Sequence, residues 1–276
     1  MTATTAGTAV AFDWVRLVVR TDAAIVLDPS KDYLIDARLA PLARAAGATD
    51  VTSYIERLRQ SPTRQTRQLL VEAMTTNETS WFRDSTPFAM FESSIIPQLR
   101  TSRATARRLR IWSAACSSGQ EPYSLAMILR ESVLREGWGA ESVATDIDEN
   151  ILAKARAGIY SQLEMNRGLP APKLVQHFTR HGAGWQVNPE VQAIVKFSKI
   201  NLAEGQPPFG QFDVVFLRNV LIYFSIETRR EILNRIRRVC RPDGYLVLGG
   251  AETTLGVDAQ WERVVVGSST FYRPTA

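Results

Sequence analysis

The feature that most constrains this chain is a short apolar run, Leu109-Arg110-Ile111-Trp112, that enters a turn of small residues ending at Gly119. An amphipathic segment leaves the turn near Pro122. Strand, tight turn and helix start in that order present unpaired backbone N–H groups and admit a ligand close to the backbone. The next apolar run, Ser142-Val143-Ala144-Thr145-Asp146, ends on an acid, where ribose hydroxyls would find an acceptor. The turn is not the dinucleotide fingerprint G-x-G-x-x-G. Gly119 is its one glycine, and Ala114, Ala115, Ser117 and Ser118 supply the remaining small positions. The same order occurs in α/β domains that hold no ligand, so spacing alone leaves cofactor binding and a plain α/β crossover both open.

From Leu109 the pattern alternates. Strands are expected at 109–114, 142–146, about 192–198, 212–217 and 245–250, with helices at about 121–135, 149–157 and 226–240. Arg241-Pro242-Asp243-Gly244 reads as a turn, and 261–272 as an antiparallel hairpin around Gly267-Ser268. Such alternation implies a parallel sheet with helices on both faces. Residues 158–197 break it and are too long for a plain crossover, so they carry structure of their own. Upstream, apolar positions recur at helical spacing between Phe12 and Met74, punctuated by Asp28-Pro29, Gly47 and Ser61-Pro62. The expected organisation is a helical domain with its tail at 1–87, a linker at 88–108 and an α/β domain at 109–276. Met1 to Thr8 reads as a short disordered tail without the basic and apolar parts of a signal peptide.

A chain of 276 residues accommodates one large domain and a small one. No apolar run approaches the eighteen or so residues of a membrane span, so direct membrane insertion is not expected. Two cysteines, Cys116 and Cys240, and two histidines, His177 and His181, argue against a disulfide framework and a zinc site, and fit a reducing, cytoplasmic location. Cys116 reads as packing in the turn. A net charge of +5 favours an acidic partner, for which nucleic acid is the default. Between residues 38 and 67 six arginines (38, 44, 57, 59, 64, 67) face two acids, Asp50 and Glu56. A solvated charged face is the plain alternative there.

Four separated motifs carry a resemblance. They are T-x-N-x-T-x-x-F-R at 75–83, S-A-A-x-S-x-G-x-E-P-Y-S at 113–124, A-T-D-I-D at 144–148 and F-L-R-N-V-L-I-Y-F at 216–224. In this order they resemble the chemotaxis receptor methyltransferase (CheR) family, over about 75–250. The resemblance implies an α/β fold of the class I methyltransferase type: a Rossmann-like sheet with a terminal antiparallel hairpin, a small N-terminal helical domain, and a small β-subdomain inserted at 158–197. It implies methyl transfer from S-adenosylmethionine, leaving S-adenosylhomocysteine, to glutamates of chemoreceptor cytoplasmic domains. With no pyrophosphate to cradle, the missing glycines are tolerable.

By the same resemblance, Asn77, Thr79 and Arg83 close over the cofactor, and Arg83 orients the substrate carboxylate. Glu121 meets the methionyl ammonium, Asp146 the ribose, and Asn201-Leu202 the adenine. Arg218-Asn219 end a strand at the ligand edge, and Tyr223 lines the methyl path beside Arg83. Gln120 stands where many relatives carry a second glutamate. Arg38 and Arg44 match positions that face acidic methylation helices, although Pro41 between them is awkward for one continuous helix. The short turn Arg180 to Gly184 suggests docking without a receptor C-terminal peptide, and nothing demands more than a monomer. Two other readings stand beside this one. A nucleic-acid methyltransferase is disfavoured because Arg218-Asn219-Val220-Leu221 replaces the (D/N)-P-P-(Y/F) of amino-methylating enzymes, and no aromatic-and-basic RNA module is present. A catalytically silent S-adenosylmethionine-binding adaptor is disfavoured by intact Asn77, Arg83, Asp146 and Tyr223.

Overall fold

The computed structural model describes residues 2–205, 207 and 210–275; Met1, the first residue of the expected tail, lies outside them. Contacts divide the chain into two compact units, Met1–Thr76 with Tyr223–Thr228, and Asn77–Ile222 with Arg229–Ala276.

The first unit is helical, with α1 (Thr2–Ala23), α2 (Asp32–Ala45), α3 (Val51–Gln60) and α4 (Arg64–Met74). The disordered tail expected up to Thr8 is instead the first turns of α1. Ala11, Phe12, Val15, Val18 and Val19 form a buried stripe on that helix. A helix nucleated by such a stripe propagates at low cost through the Ala- and Thr-rich residues before it. Both α3 and α4 begin with capping boxes, Asp50 with Ser53 and Thr63 with Thr66. Pro41 does not interrupt α2, contrary to expectation. Pro41 and Ala37 are both exposed, so the carbonyl that loses its i+4 donor lies on the solvent side. Segment 223–228 completes this unit through buried Phe224, which bridges Ile25, while Val26 N–H donates to the Tyr223 carbonyl at 2.9 Å.

The second unit opens with α5 (Thr86–Met90), a widened π turn (Phe91–Ile95) and α6 (Ile96–Ser102). Pro97 has no N–H to close the regular ladder, which accounts for the widened turn before it. Residues 88–108 were expected as a linker. Phe88, Phe91, Ile95, Ile96 and Leu99 are instead buried in the same core as the sheet, and the unit boundary falls at Thr76/Asn77. The order then runs β1 (Arg108–Ala114), α7 (Gln120–Ser132), β2 (Gly139–Asp146), α8 (Glu149–Ala157), β3 (Ile159–Tyr160), α9 (Gln162–Met165), α10 (Ala171–His177), β4 (Phe178–His181), β5 (Gly184–Val187), α11 (Pro189–Gln192), β6 (Val195–Lys199), β7 (Phe212–Leu217), α12 (Ile226–Val239), β8 (Cys240–Leu248), β9 (Trp261–Val266) and β10 (Ser269–Pro274). The first turn of α12 belongs to the helical unit.

Seven strands form one sheet in the order β6-β2-β1-β7-β8-β10-β9. The first five are parallel, and β10 runs antiparallel to both β8 and β9. This is the expected Rossmann-like sheet with a terminal hairpin. Every residue of β7 is buried, as a central parallel strand covered on both faces requires. A separate three-stranded antiparallel sheet, β3-β5-β4, forms the inserted subdomain.

Two local expectations need correction. The strand expected at about 192–198 begins only at Val195, because Pro189 at a helix start turns 189–192 into α11. The turn expected at 241–244 lies within β8: Phe212 pairs with Cys240 and Val214 with Tyr245, so these residues bulge out opposite Asp213. Arg103 holds the bulge by donating to Asp213 at 2.6 Å and to Asp243 at 2.6 and 2.8 Å. Among the described residues no helix is long and apolar enough to cross a membrane.

Candidate active site

The turn between β1 and α7 is built from unusual backbone. Ala115 and Ser117 have φ of 61° and 51°, and Gly119, the N-cap of α7, has 95°. A left-handed conformation costs a non-glycine residue about 1–2 kcal/mol, so something must impose it. Cys116 N–H donates to the Thr145 carbonyl at 2.9 Å, and Ser117 N–H to Asp146 Oδ2 at 2.8 Å. The Tyr160 hydroxyl donates to the Ser118 carbonyl at 2.6 Å. A Cβ at position 119 would stand 3.0 Å from both Ala155 Cβ and the Tyr160 hydroxyl, so glycine is needed for space as well as for φ. Burial, reinforced by Asp146 and Glu121, pushes the Cys116 thiol far up, which keeps it neutral and supports its reading as packing.

Asp146 ends β2 beneath this turn. Its carboxylate accepts from Ser117 N–H and, at 3.1 Å, from Asp148 N–H. Burial raises its pKa despite those bonds. Asp148 caps α8 by accepting from Asn150 and Ile151 N–H at 2.9 and 3.2 Å. Its other oxygen accepts from Asn77 Nδ2 at 2.9 Å, while the Asn77 carbonyl accepts from Ser117 Oγ at 2.9 Å. Asn77 is thereby tied by its carbonyl to the turn after β1 and by its side chain to the loop after β2.

Arg218, directly after β7, is the charged centre of the unit, with its side chain 1% exposed. Nη1 donates to Glu121 Oε2 at 3.1 Å; Nη2 donates to Asp84 Oδ2 at 2.7 Å and to the Arg83 carbonyl at 2.8 Å. The guanidinium lies over the Phe88 ring, 5.4 Å from its centroid. Glu121 Oε1 accepts from Ser113 Oγ at 2.8 Å. Each Glu121 oxygen therefore holds one protein donor and keeps further acceptor capacity. Arg83 Nη1 donates to the Glu78 carbonyl at 3.1 Å. The segment is anchored further by Trp81, whose N–H donates to the Arg167 carbonyl at 3.0 Å and whose ring meets Tyr160 and Phe178 edge-on. Thr79 is half-buried within this anchored segment.

Asn219 has φ of 58°, and its N–H donates to Glu252 Oε2 at 2.7 Å. Asn201 follows β6 at the same sheet edge, where Ile200 N–H donates to the Asp146 carbonyl at 2.9 Å. The Asn201 side-chain oxygen accepts from Ala203 N–H at 3.0 Å, and the Leu202 carbonyl accepts from Arg235 at 2.8 Å. Of the residues expected at a site, Asn77, Thr79, Arg83, Glu121, Asp146, Asn201, Leu202, Arg218 and Asn219 thus belong to one unit. Arg38, Arg44 and Tyr223 belong to the helical unit. There Arg38 donates to the Met74 carbonyl at 2.6 Å and to Thr76 Oγ1 at 2.9 Å, which satisfies the C-terminus of α4. Arg44 is exposed, with Nε 3.3 Å from the Ala40 carbonyl. Sequence reasoning missed Asp84, Tyr160 and Glu252. Each acts through a fold contact with a distant loop, and no local spacing signals it.

The donor set suits S-adenosylmethionine. A buried carboxylate at the end of β2 retains capacity for ribose hydroxyls, a glycine-started helix offers free N–H groups, and Glu121 keeps acceptor capacity for an ammonium group. Sheet order and site together define a class I S-adenosylmethionine-dependent methyltransferase. Residues 77–270 match the family described as "CheR methyltransferase, SAM binding domain", and residues 11–75 match "CheR methyltransferase, all-alpha domain". The chain belongs to the CheR family of chemotaxis methyltransferases. It is 40% identical to chemotaxis protein methyltransferase 1 of Pseudomonas aeruginosa, over 95% of this chain and 97% of that one. It is 37% identical to chemotaxis protein methyltransferase Cher2 of Pseudomonas putida over the same shares, and 37% identical to a chemotaxis protein methyltransferase of Vibrio anguillarum over 92% and 93%. It is a methyltransferase that acts in chemotaxis with S-adenosylmethionine as methyl donor.

Proposed function

We propose that this enzyme methylates glutamate side-chain carboxylates of chemoreceptor cytoplasmic domains, forming methyl esters for sensory adaptation. The observation that carries this reading is the clamp on Arg83: its carbonyl is held by buried Arg218 at 2.8 Å, and its guanidinium donates to the Glu78 carbonyl at 3.1 Å. A guanidinium matches a carboxylate in two-point geometry. A glutamate with an ordinary pKa of about 4.3 is already an anion at neutral pH, so no general base is needed. S-adenosylmethionine supplies a methyl carbon activated by a sulfonium. Asp146, Glu121, Asn77, Thr79, Asn201, Leu202, Arg218 and Asn219 hold and orient that donor, while Arg83 and Tyr223 align the carboxylate. Such alignment supplies several kcal/mol of rate acceleration. Arg44 faces the acidic methylation helices. Arg38 contributes charge there while it also closes α4. The protein works as a monomer on an acidic protein partner, without nucleic acid and without a receptor C-terminal peptide. The domain limits are those of the two compact units, with the β-subdomain inserted at 158–197.

The test is incubation with methyl-labelled cofactor and receptor cytoplasmic fragments. Base-labile label on receptor glutamates is expected, and Arg83→Ala and Tyr223→Phe are expected to lower turnover more than cofactor affinity. Base-stable label on nucleic acid, with no receptor ester, overturns the substrate. Unchanged turnover in both variants overturns the two roles.

A further inference from the structure

The turn that leaves β7 carries Arg218 and Asn219, and nothing within it explains its shape. Asn219 is in a left-handed conformation, and three successive N–H groups, those of Asn219, Val220 and Leu221, point the same way. Their acceptor is one carboxylate from the loop after β8. Glu252 Oε2 accepts from Asn219 N–H at 2.7 Å and Gly249 N–H at 2.8 Å; Oε1 accepts from Val220 N–H at 2.9 Å and Leu221 N–H at 2.7 Å. Successive N–H groups arranged this way form an anion nest, normally filled by a bound anion. Here the anion is part of the chain. The fit is close: a Cβ at Gly249 would stand 2.8 Å from Glu252 Oε2 and 2.7 Å from Asn219 Nδ2.

We propose that Glu252 is a positioning residue for the cofactor site, its carboxylate shaping the 218–221 turn so that Asn219, and Arg218 beside it, are pre-set for S-adenosylmethionine. This rests on the placement of Arg218 and Asn219 at the cofactor proposed above. Four N–H bonds to one charged acceptor are enough to hold a left-handed residue in the absence of any ligand. Only a carboxylate can serve. An amide has one acceptor oxygen and would turn its NH2 toward N–H donors.

The experiment measures S-adenosylhomocysteine affinity by calorimetry in Glu252→Gln and in Glu141→Gln, with thermal unfolding of both in parallel. Glu141 is a carboxylate near the start of β2, at the opposite sheet edge, bonded to Arg108, Arg110 and Lys196. Glu252→Gln is expected to raise Kd at least tenfold, while Glu141→Gln lowers Tm and leaves Kd within twofold. Unchanged Kd in Glu252→Gln, or equal weakening in both variants, overturns the proposal. If Glu252→Gln does not fold, amide hydrogen exchange of the unaltered cofactor-free protein decides. Protection of the four N–H groups comparable to that of β7 supports the clamp, and free exchange at all four overturns it. None of these readouts involves receptor substrate, so failure here leaves the methyl-ester assay standing, and the converse.

Discussion

The two edges of the seven-stranded sheet solve the same problem, buried charge at strand ends, in opposite ways. At the amino edge, carboxylates are saturated by arginine and lysine. Asp213 accepts from Arg103 and from Arg110 N–H, with Arg241 at 3.2 Å, and Glu141 from Arg110, Arg108 and Lys196. At the carboxyl edge, Asp146 accepts backbone N–H groups and keeps acceptor capacity, and one guanidinium, Arg218, serves Glu121, Asp84 and the Arg83 carbonyl. The strained backbone gathers at this edge too: Phe82, Asp84, Ser85, Ala115, Ser117 and Asn219 all have positive φ, against Arg107 at the other. Saturated ion pairs hold strands together, whereas under-satisfied acceptors and strained turns remain available to a ligand.

The largest test removes the hub of each edge. Arg218→Met leaves Glu121 buried with only Ser113 as donor, and is expected to cost roughly 3–5 kcal/mol of stability. Arg103→Met leaves Asp213 with Arg110 N–H and Arg241, and is expected to cost roughly 2 kcal/mol. Urea denaturation measures both, and the reverse order would break the comparison.

A smaller effect has opposite signs at the two edges. Burial raises the Asp146 pKa from its ordinary 3.8. Between these two values the native state binds more protons than the unfolded one, so this carboxyl's contribution to stability falls as pH rises through that window. For Glu141 burial also acts upward, but Lys196 and Arg110 outweigh it and hold the pKa down to about 2, from an ordinary 4.5. Its contribution is full above 4.5 and is lost as pH falls toward about 2. Asp146→Asn is expected to weaken S-adenosylhomocysteine binding by about 1–3 kcal/mol, and its stability cost, one backbone N–H acceptor lost, should shrink as pH rises. Glu141→Gln should lower stability by about 1–2 kcal/mol at neutral pH, and the gap should close in acid. Denaturation across a pH series, with calorimetry at pH 7, separates the two. Stability gaps that change with pH in the same direction in both variants would end the distinction.

The smallest test concerns strain. Ala115→Gly relieves a left-handed non-glycine residue and is expected to stabilise by at most about 1 kcal/mol. Arg107→Gly relieves similar strain but gives up the guanidinium over Trp138, 5.8 Å from the ring, so little net gain is expected. A clear loss on Ala115→Gly would show that the turn is held by something other than its neighbours' bonds.

Local pattern made much of the molecule legible. Period and punctuation located β1, α7, β2, α8 and β7 within a few residues, and the four motifs led to the family. Where the reading failed, the deciding partner was far along the chain. The tail became α1 because its later residues are buried, and the linker became core because Phe88, Phe91 and Ile95 pack on the sheet. The turn at 241–244 became a bulge because Arg103 reaches across to Asp213 and Asp243.

The sequence by itself determined the order of strands and helices and the residue types that line the ligand edge, because periodicity and turn chemistry are local. It also carried the motifs that mark the family. Only the tertiary structure decided which charges are satisfied. Arg218 meets Glu121 and Asp84, and Glu252 meets the 219–221 backbone, across separations of more than thirty residues. Their geometry depends on how strands β1, β7 and β8 align, and that register is a property of the packed sheet.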